Sequence, residues 1–380
     1  MIRLSKPDIR EEDIERAAAV LRTGMLVQGE RVDDFERGLE AFSGLPHAVA
    51  VSSGTAALHL AYRALGIGPG DAVLAPAFTF PATTNAAEVL GAETVLCDVD
   101  ARSYVATPET IEEGIDRHGG EGRLKAVAVV HEFGYPCRIA EIAELCRKKG
   151  LKLLEDAACA LGTVADGRHP GHYGDAACFS FHPRKAITTG EGGAVLTRSE
   201  ELAGAVATLR NHGMVKKAGG LDFLEAGLNY RLTDFQAALA LGQMDRFREE
   251  LVLRRRHAAQ YAELLRNEPR LLLPEIPAGH SLQSFMVVLD EGIERAEVIR
   301  VMAEKGVQAN LGAQAIHCLA HYRGKYGWAE EAFPAAARLY RSGLVLPMYG
   351  LLGADDIRLV CEALGEALDR GEAFGRAGRP

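Results

Sequence analysis

Residues 180–193 read Ser-Phe-His-Pro-Arg-Lys-Ala-Ile-Thr-Thr-Gly-Glu-Gly-Gly and place a lysine, Lys185, between an apolar run and a glycine-rich turn. Burying a lysine is costly unless its amine has a chemical task, because an apolar setting disfavours the charged form. An amine that loses its proton there can attack a carbonyl carbon and form a Schiff base. A second apolar run, Leu153-Leu154-Glu155-Asp156, ends in a carboxylate 29 residues before the lysine.

A lysine preceded by a carboxylate at a strand end is the pair that pyridoxal 5'-phosphate (PLP) requires. The lysine binds the aldehyde carbon of the cofactor, and the carboxylate keeps the pyridine nitrogen protonated. Each residue alone has an ordinary explanation, since most lysines near glycine turns are solvated and an aspartate after a strand is often a helix cap. Asp98 and Asp100 are the next candidates if Asp156 does not bind the ring nitrogen.

The composition excludes several classes of protein. The 380 residues suffice for two domains, and 48% apolar with 25% charged residues is ordinary for a globular enzyme. A formal net charge of −9 disfavours nucleic-acid binding, and no apolar run predicts a signal peptide or a membrane span. The seven cysteines are scattered and odd in number, which predicts reduced thiols in a cytoplasm and neither disulfides nor a metal site.

Short apolar runs alternate with helical stretches from residue 48 to residue 197. Continuous apolar strands separated by helices indicate a mostly parallel sheet that is covered on both faces. The predicted strands are 48–52, 72–75, 94–98, 126–130, 152–155, 177–181 and 194–197, and the predicted helices among them include 56–65, 82–90 and 139–149. Ligands collect at the carboxyl ends of strands in such sheets, so the segments that follow strands are the candidate site.

The chain is predicted to have two domains. The large PLP-binding domain covers residues 15–245. A smaller C-terminal α/β domain covers residues 246–380, with residues 1–14 packed on it. A long helix is predicted over about residues 233–266, after the strand-rich core, with Thr233 as its N-cap.

Further segments suit the parts of a flat, phosphorylated cofactor. Residues 52–58 follow a strand and open a helix, where free N–H groups can bind a phosphate that Gly54 lets come close. Phe80 lies at the next strand-to-helix turn and can stack on a ring, while Ser180 can hydrogen-bond a phosphate. The ordinary explanations are a helix cap at 52–58, core packing for Phe80 and a turn at Asn229.

Together these segments resemble the sugar aminotransferases of the DegT/StrS family, within the PLP-dependent enzymes of fold type I. The resemblance runs from about residue 6 to residue 364. The blocks that carry it are 23–29, 52–58, 79–83, 155–162, 180–193, 209–213 and 227–236. It implies an α/β fold, in which a large domain has a mostly parallel central sheet flanked by helices and a smaller C-terminal α/β domain follows.

The resemblance implies a role for each cofactor residue. Lys185 is expected to bind the aldehyde carbon of PLP and then to move a proton between the substrate carbon and the cofactor. Asp156 is expected to bind the pyridine nitrogen, and Phe80 to stack on the ring. The residues expected to hold the phosphate are Gly54, Thr55 and Ser180.

Other positions concern the partner subunit, the substrate and a departure from the family pattern. Asn229 is expected to reach the phosphate of the neighbouring subunit's cofactor, which implies a homodimer with shared active sites. His317 and Tyr322 resemble a segment near the sugar-nucleotide entrance and are the candidate substrate residues. At Cys159 many members carry Gln or His, which can hydrogen-bond the cofactor's phenolic oxygen, whereas a thiol is a weak donor.

The function favoured by the resemblance is a PLP-dependent aminotransferase. It would move an amino group from an amino-acid donor to a nucleotide-linked keto sugar, and glutamate is the expected donor. The product would enter polysaccharide or glycosylated-metabolite synthesis. Lys185 favours transamination, because the dehydratase members of the family carry His in its place. A cyclitol ketone is the alternative acceptor. A non-catalytic regulatory protein of the same fold is the alternative from another class, and the intact Lys185 and Asp156 disfavour it.

Overall fold

The computed structural model describes residues 1–118 and 123–377. Its strands are β1 (His47–Val51), β2 (Ala72–Pro76), β3 (Phe78–Thr79), β4 (Glu93–Cys97), β5 (Leu124–Val130), β6 (Lys152–Asp156), β7 (Ala176–Ser180), β8 (Gly193–Thr197), β9 (Met214–Lys217), β10 (Gly220–Phe223), β11 (Leu271–Leu272), β12 (Phe285–Leu289), β13 (Asn310–Leu311), β14 (Gln314–Ala315) and β15 (Gly343–Leu346). Its α-helices are α1 (Glu11–Thr23), α2 (Glu30–Ser43), α3 (Gly54–Ala64), α4 (Ala82–Glu88), α5 (Pro108–Arg117), α6 (Ile139–Lys149), α7 (Glu200–Leu209), α8 (Asp234–Leu265), α9 (Arg295–Glu304), α10 (Ala320–Tyr326), α11 (Pro334–Ser342) and α12 (Ala354–Ala377). Single turns of 3-10 helix lie at Glu132–Gly134, Ile316–Cys318 and Glu330–Ala332.

The central sheet of the described chain has the strand order β1-β8-β7-β6-β5-β2-β4. Strand β8 runs antiparallel to β1 and β7, and the other neighbouring pairs are parallel. Both faces of the sheet are apolar: Val73 and Ala75 of β2 belong to one buried cluster, while Leu74 between them belongs to another. A sheet buried on both faces needs the continuous apolar strands that the sequence shows. The predicted α/β fold with a mostly parallel sheet is confirmed.

The predicted strands correspond to β1, β2 and β4–β8, with ends that differ by at most two residues. Four of the helices that lie between strands, α5, α7, α10 and α11, were not predicted. The segment after α7 contains a hairpin of β9 and β10, for which the sequence predicted no strands. Its strands have no buried face, so the alternation of apolar and polar residues that reveals a strand is missing.

The long helix α8 begins as predicted after Thr233, whose backbone N–H and hydroxyl both donate to Gln236 Oε1, at 3.3 and 2.6 Å. This is one half of a capping box. The helix packs on α1 and α2, and it continues through position 245 to Leu265. The predicted division at 245/246 therefore falls inside one continuous helix.

A second, smaller sheet is formed by the C-terminal part of the chain in the order β11-β12-β15-β13. It shares an apolar cluster with α9 and α12, in which Phe285, Val298 and Leu364 are fully enclosed. The N-terminal segment lies beside it: Ile2 pairs with Val307, and the Leu4 carbonyl accepts the Met348 N–H at 3.1 Å. The domain boundaries at 14/15 and 245/246 stay a prediction. Within residues 1–118 and 123–377, no helix is long and apolar enough to cross a membrane.

Candidate active site

The carboxyl ends of the parallel strands open into a cavity of about 400 Å³. Its main wall consists of the segments that follow β1, β5, β6 and β7, because parallel strands bring those ends to one edge of the sheet. The smaller sheet supplies the facing wall through Ser284 before β12 and Val345 in β15. The residues that line this cavity include the start of α3 and several polar or aromatic side chains. They are Gly54, Thr55, Phe80, Glu132, Asp156, Cys159, Ser180 and Lys185.

Lys185 lies in the turn after β7. Its backbone N–H donates to the His182 carbonyl at 2.8 Å, and its Nζ donates to Cys159 Sγ at 2.9 Å. Burial lowers the pKa of Lys185, but Cys159, Glu132 and Asp156 raise it more strongly, so the net pKa is raised. The expectation that burial would remove the proton from this amine is wrong for the chain itself, because negative groups surround it.

Cys159 is half-buried and touches the lysine amine. Burial raises the pKa of its thiol, and Lys185 only partly opposes that effect. Sγ accepts the hydrogen bond from the Lys185 Nζ, and sulfur is a weak acceptor. Among the neighbours that raise the pKa of Lys185, Cys159 contributes most, followed by Glu132 and Asp156.

Asp156 ends β6 and is buried, with 4% of its surface exposed. Its Oδ2 accepts the Thr83 hydroxyl at 2.7 Å, and its Oδ1 accepts the Ala158 N–H at 3.0 Å. Burial raises the pKa of Asp156 above its ordinary value, while Thr83, Ala158 and Lys185 lower it. A nearby cation such as a protonated pyridine nitrogen favours the charged form of such a carboxylate.

The start of α3 forms the end of the cavity that suits an anion. Ser53 is its N-cap and accepts the Ala56 N–H at 3.0 Å, while the first N–H groups of a helix have no partner inside it. A Cβ atom on Gly54 would lie 2.8 Å from Ser180 Cβ and 3.2 Å from Ser180 Oγ. A glycine is therefore required for the helix start to approach the Ser180 hydroxyl so closely.

The structure does not bring all predicted site residues together. Phe80 lines the cavity with 68% of its surface exposed, so one face is free for a ring. Asn229 is exposed, pairs with Asn211 through the backbone, and does not line the cavity. His317 and Tyr322 are 1% exposed and lie outside the cavity lining as well.

The two candidate substrate residues have partners inside the fold. His317 Nε2 lies 3.1 Å from the Glu330 carbonyl, and the Tyr322 hydroxyl lies 2.6 Å from Thr84 Oγ1. Contact with a substrate would require these side chains to move. Their role in substrate binding stays a prediction.

Two residues of the site were missed by sequence reasoning. Thr83 stands in the 79–83 block, where attention fell on the aromatic ring, and it proves to be the hydroxyl partner of Asp156. Glu132 lies two residues beyond the end of β5, is 5% exposed, and lines the same cavity as Lys185. The signal was present, because a carboxylate just after the apolar run 126–130 follows the same rule that identified Asp156.

The arrangement fits PLP. A buried carboxylate for the ring nitrogen, an amine for the aldehyde carbon, a helix N-terminus with a serine for the phosphate and an exposed aromatic face for the ring all border one cavity. Among the described residues, no group of three or more His, Cys, Asp or Glu side chains could hold a metal ion. Fold and site together define a PLP-dependent transferase of fold type I.

Comparisons with known proteins narrow this class. The chain is 35% identical over 378 residues to the spore coat polysaccharide biosynthesis protein SpsC of Bacillus subtilis (strain 168). The aligned region covers 95% of each chain. It is similar to the solved structure of the aminotransferase TlmJ from Streptoalloteichus hindustanus, with 31% identity, a TM-score of 0.89 and coverage of 97% of this chain and 99% of that one. It is also similar to the solved structure of Helicobacter pylori PseC, an aminotransferase involved in the biosynthesis of pseudoaminic acid. The sequence identity is 25% and the TM-score is 0.91, with coverage of 97% of this chain and 99% of that one.

The model of the DegT/DnrJ/EryC1/StrS aminotransferase family matches residues 7–365. The chain belongs to this family, and it is a PLP-dependent aminotransferase. The resemblance noted in the sequence is thereby confirmed. The roles of individual residues in the site rest on the geometry above and remain predictions.

Proposed function

We propose that this enzyme transfers an amino group from glutamate to the keto carbon of a nucleotide-linked sugar, with PLP bound through Lys185. One observation carries the proposal: the Lys185 amine, the Asp156 carboxylate and the N-terminus of α3 face the same cavity of about 400 Å³. The sugar substrate is supported by the relatives, since one is named for polysaccharide biosynthesis and another for the biosynthesis of pseudoaminic acid. The product would serve the synthesis of a glycan or a glycosylated metabolite in the cytoplasm.

The residues of the cavity divide the work. PLP, when bound, supplies an electron sink that weakens the bond to hydrogen at the carbon bearing the amino group. Asp156 presents a negative charge to the ring nitrogen and is kept oriented by Thr83 and the Ala158 N–H. Lys185 would accept the proton released at the substrate carbon and pass it to the cofactor within the same half-reaction, and the second half-reaction would run this transfer in reverse. One site serves both half-reactions in turn, so donor and acceptor bind alternately.

We propose further that two chains form a dimer with shared active sites. Apolar side chains are exposed on the β9–β10 hairpin and before α2: Leu221 by 65%, Phe223 by 60%, Met25 by 71% and Val27 by 63%. Exposed apolar groups of this kind are typical of protein interfaces. Asn229, exposed outside its own chain's cavity, is then available to a second chain.

The experiment is a panel of acceptors offered to the PLP-loaded enzyme, with glutamate as the donor. The panel contains nucleotide-linked keto sugars that differ in the keto position, the same sugars without nucleotide, and a cyclitol ketone. Mass spectrometry should detect an aminated nucleotide sugar and 2-oxoglutarate in equal amounts. Amination of the cyclitol alone would establish the alternative acceptor. No amination of any acceptor, by an enzyme that converts its cofactor with glutamate, would reject the sugar substrate and leave the aminotransferase chemistry intact.

A further inference from the structure

The peptide group between Arg184 and Lys185 is hydrogen-bonded at both of its ends. Its N–H, which belongs to Lys185, donates to the His182 carbonyl at 2.8 Å within the same turn. Its carbonyl, which belongs to Arg184, accepts Nε2 of Gln283 at 2.7 Å, from a residue 99 positions later in the chain. Ser5 Oγ lies 3.4 Å from the same oxygen, which is long for a hydroxyl donor. The Gln283 amide is therefore the main distant contact of this peptide group.

Gln283 is itself firmly held, two residues before β12 of the smaller sheet. Its N–H donates to the Phe133 carbonyl at 2.9 Å. Nη1 of Arg254, a buried residue of α8, donates to the carbonyls of Leu282 and Gln283 at 3.2 and 3.3 Å. Leu282 has φ 57°, a left-handed conformation that persists only where the surroundings impose it. The amide that reaches Arg184 thus extends from a fixed backbone.

The turn that carries the lysine has a second anchor after Lys185. Gln243 of α8 is 5% exposed and binds the backbone of Thr188 twice. Its Oε1 accepts the Thr188 N–H at 3.0 Å, and its Nε2 donates to the Thr188 carbonyl at 2.8 Å. The turn is therefore held by α8 after the lysine, and by the segment that leads into β12 before it.

We propose that Gln283 is a positioning residue, which holds the Lys185 amine where the aldehyde carbon of PLP can reach it. The inference rests on the function proposed above, in which PLP is bound through Lys185. Gln283 acts through the Arg184 carbonyl and takes no part in the bond itself. The side chain of a lysine is flexible, so the position of Nζ depends on the backbone from which it extends. A misplacement of about 1 Å can slow a reaction by about 10²-fold, which makes such an anchor valuable.

Direct contact with the cofactor is the competing explanation, because Gln283 also lines the cavity. The two forms of the cofactor distinguish the explanations. PLP carries an aldehyde and bonds to the lysine, whereas pyridoxamine phosphate carries an amine and cannot form this bond. A residue that touches the cofactor affects the binding of both forms, while one that acts through Lys185 affects the binding of PLP alone.

The experiment measures the dissociation constants of PLP and pyridoxamine phosphate by calorimetric titration of the full-length, cofactor-free enzyme. Q283M keeps the length of the side chain and removes the donor. It should weaken PLP by up to about 10-fold, the value of one hydrogen bond, and leave pyridoxamine phosphate unchanged. Unchanged binding of PLP, or an equal loss for both forms, overturns the proposal. If Q283M does not fold, Q283N, whose amide is one carbon shorter, is judged by the same two criteria.

The matched control is Q260M. Nε2 of Gln260 donates to the Ala354 carbonyl at 2.9 Å, so the same replacement removes an equivalent hydrogen bond outside the cavity lining. Both dissociation constants should stay at the wild-type values. A loss of PLP affinity in Q260M as large as that in Q283M overturns the proposal, because the effect would then be one of stability.

Failure of this inference can be told apart from failure of the proposed function. Borohydride reduction fixes PLP on the lysine that carries it, and peptide mass spectrometry identifies that lysine. PLP fixed on another lysine would reject the proposed role of Lys185 and the inference with it. PLP fixed on Lys185, with Q283M equal to the wild type for both forms of the cofactor, would reject the inference alone.

Discussion

Asp156 and Glu132 follow neighbouring parallel strands and are both buried, yet the chain surrounds them differently. Asp156 accepts hydrogen bonds from the Thr83 hydroxyl and the Ala158 N–H, whereas the backbone of Phe133 is the hydrogen-bond donor that favours the charged form of Glu132. Burial raises the pKa of both carboxyl groups. The comparison teaches that burial does not decide the role of a carboxylate; the donors around it do.

A carboxylate that donors stabilise suits a permanent charge, and one with few donors suits a proton that comes and goes. Both act on the same amine, because Glu132 and Asp156 each raise the pKa of Lys185. Changes at Lys185 should therefore remove the function of the whole site. Changes at either carboxylate should separate the two roles.

The largest effect is expected for Lys185→Ala. The change should abolish turnover, because the amine that binds PLP and moves the proton is gone, while the phosphate end at Gly54 and Ser180 still binds the cofactor. Lys185→Arg should not restore activity, since a guanidinium keeps its charge. Steady-state assays and the visible spectrum after PLP addition provide the measurement. Lys148→Ala, an exposed lysine on α6, is the control and should keep full activity.

Substantial turnover by a folded Lys185→Ala enzyme would contradict the assignment of this lysine. In that case Asp156 and Glu132 would lie in the same cavity as an amine that takes no part in catalysis. The comparison between them would then concern stability alone.

Asp156→Asn is expected to have the next largest effect. The amide keeps the size of the side chain and removes the charge facing the ring nitrogen, so kcat should fall by roughly 10²–10³, as for other losses of a central electrostatic group. E132Q, the corresponding change of a carboxylate to an amide, should alter the visible spectrum of the bound cofactor less than Asp156→Asn does. Near-normal turnover in Asp156→Asn would place the ring-nitrogen partner elsewhere. Asp98 and Asp100, the alternatives taken from the sequence, do not line the cavity, so Glu132 would be the next candidate.

Much of this site could be predicted because its parts lie at strand ends. Lys185, Asp156 and Gly54 each follow an apolar run, and parallel strands bring such positions together whatever the loops do. Glu132 follows the same rule but lacks a sequence block that draws attention to it. Its strained neighbour Phe133 and the Gln283 N–H that fixes the turn come from distant segments, which no local pattern reveals.

Other features could not be predicted for a different reason. The raised pKa of Lys185 depends on the summed effect of Cys159 and two carboxylates, whose distances only the fold determines. The hairpin of β9 and β10 has no buried face in one chain, so its strands leave no periodic signal. Where structure depends on the sum of many contacts between distant segments, local sequence patterns are silent.

The third prediction tests whether the charged form of Glu132 is less well stabilised than that of Asp156. Its pKa is raised from 4.5 to about 7 by burial, so the folded chain binds this proton more tightly than the unfolded chain does. That contribution to stability is fully present below about pH 4.5 and is lost as pH rises through about 7. Relative to wild type, E132Q should therefore gain up to about 3 kcal/mol in free energy of unfolding between these pH values, at about 1.4 kcal/mol per pKa unit.

Urea unfolding of the cofactor-free protein at about pH 5 and about pH 8 measures this difference, with two-state behaviour checked at each pH. E191Q should show no such pH-dependent gain, because its side chain is 65% exposed. Equal unfolding free energies for wild type and E132Q at both pH values would mean that water reaches Glu132 and that it resembles a surface carboxylate.

The fourth prediction turns from the cavity to the exposed Asn229. Lys185→Ala and Asn229→Trp should each inactivate the enzyme, and mixing them should restore up to roughly half of the activity per heterodimer. In a two-fold dimer with shared sites, one site then carries both changes and the other carries neither. Tagged co-purification verifies subunit exchange. If exchange occurs without recovery, Asn229 serves its own chain and the shared site is wrong.

The smallest effect is expected for Cys159→Gln, which changes the hydrogen-bond partner of the Lys185 amine. In the chain itself Sγ accepts the Lys185 amine at 2.9 Å, and a glutamine can both accept from that amine and donate to the cofactor's phenolic oxygen. A stronger donor at the phenolic oxygen should move the pH midpoint of the bound cofactor's visible absorption, with little loss of turnover. Cys361→Gln, on α12 outside the cavity lining, is the matched control and should leave the midpoint in place. An unchanged midpoint in Cys159→Gln would show that position 159 faces the lysine and not the ring, so that it acts on the cofactor only through the Lys185 amine.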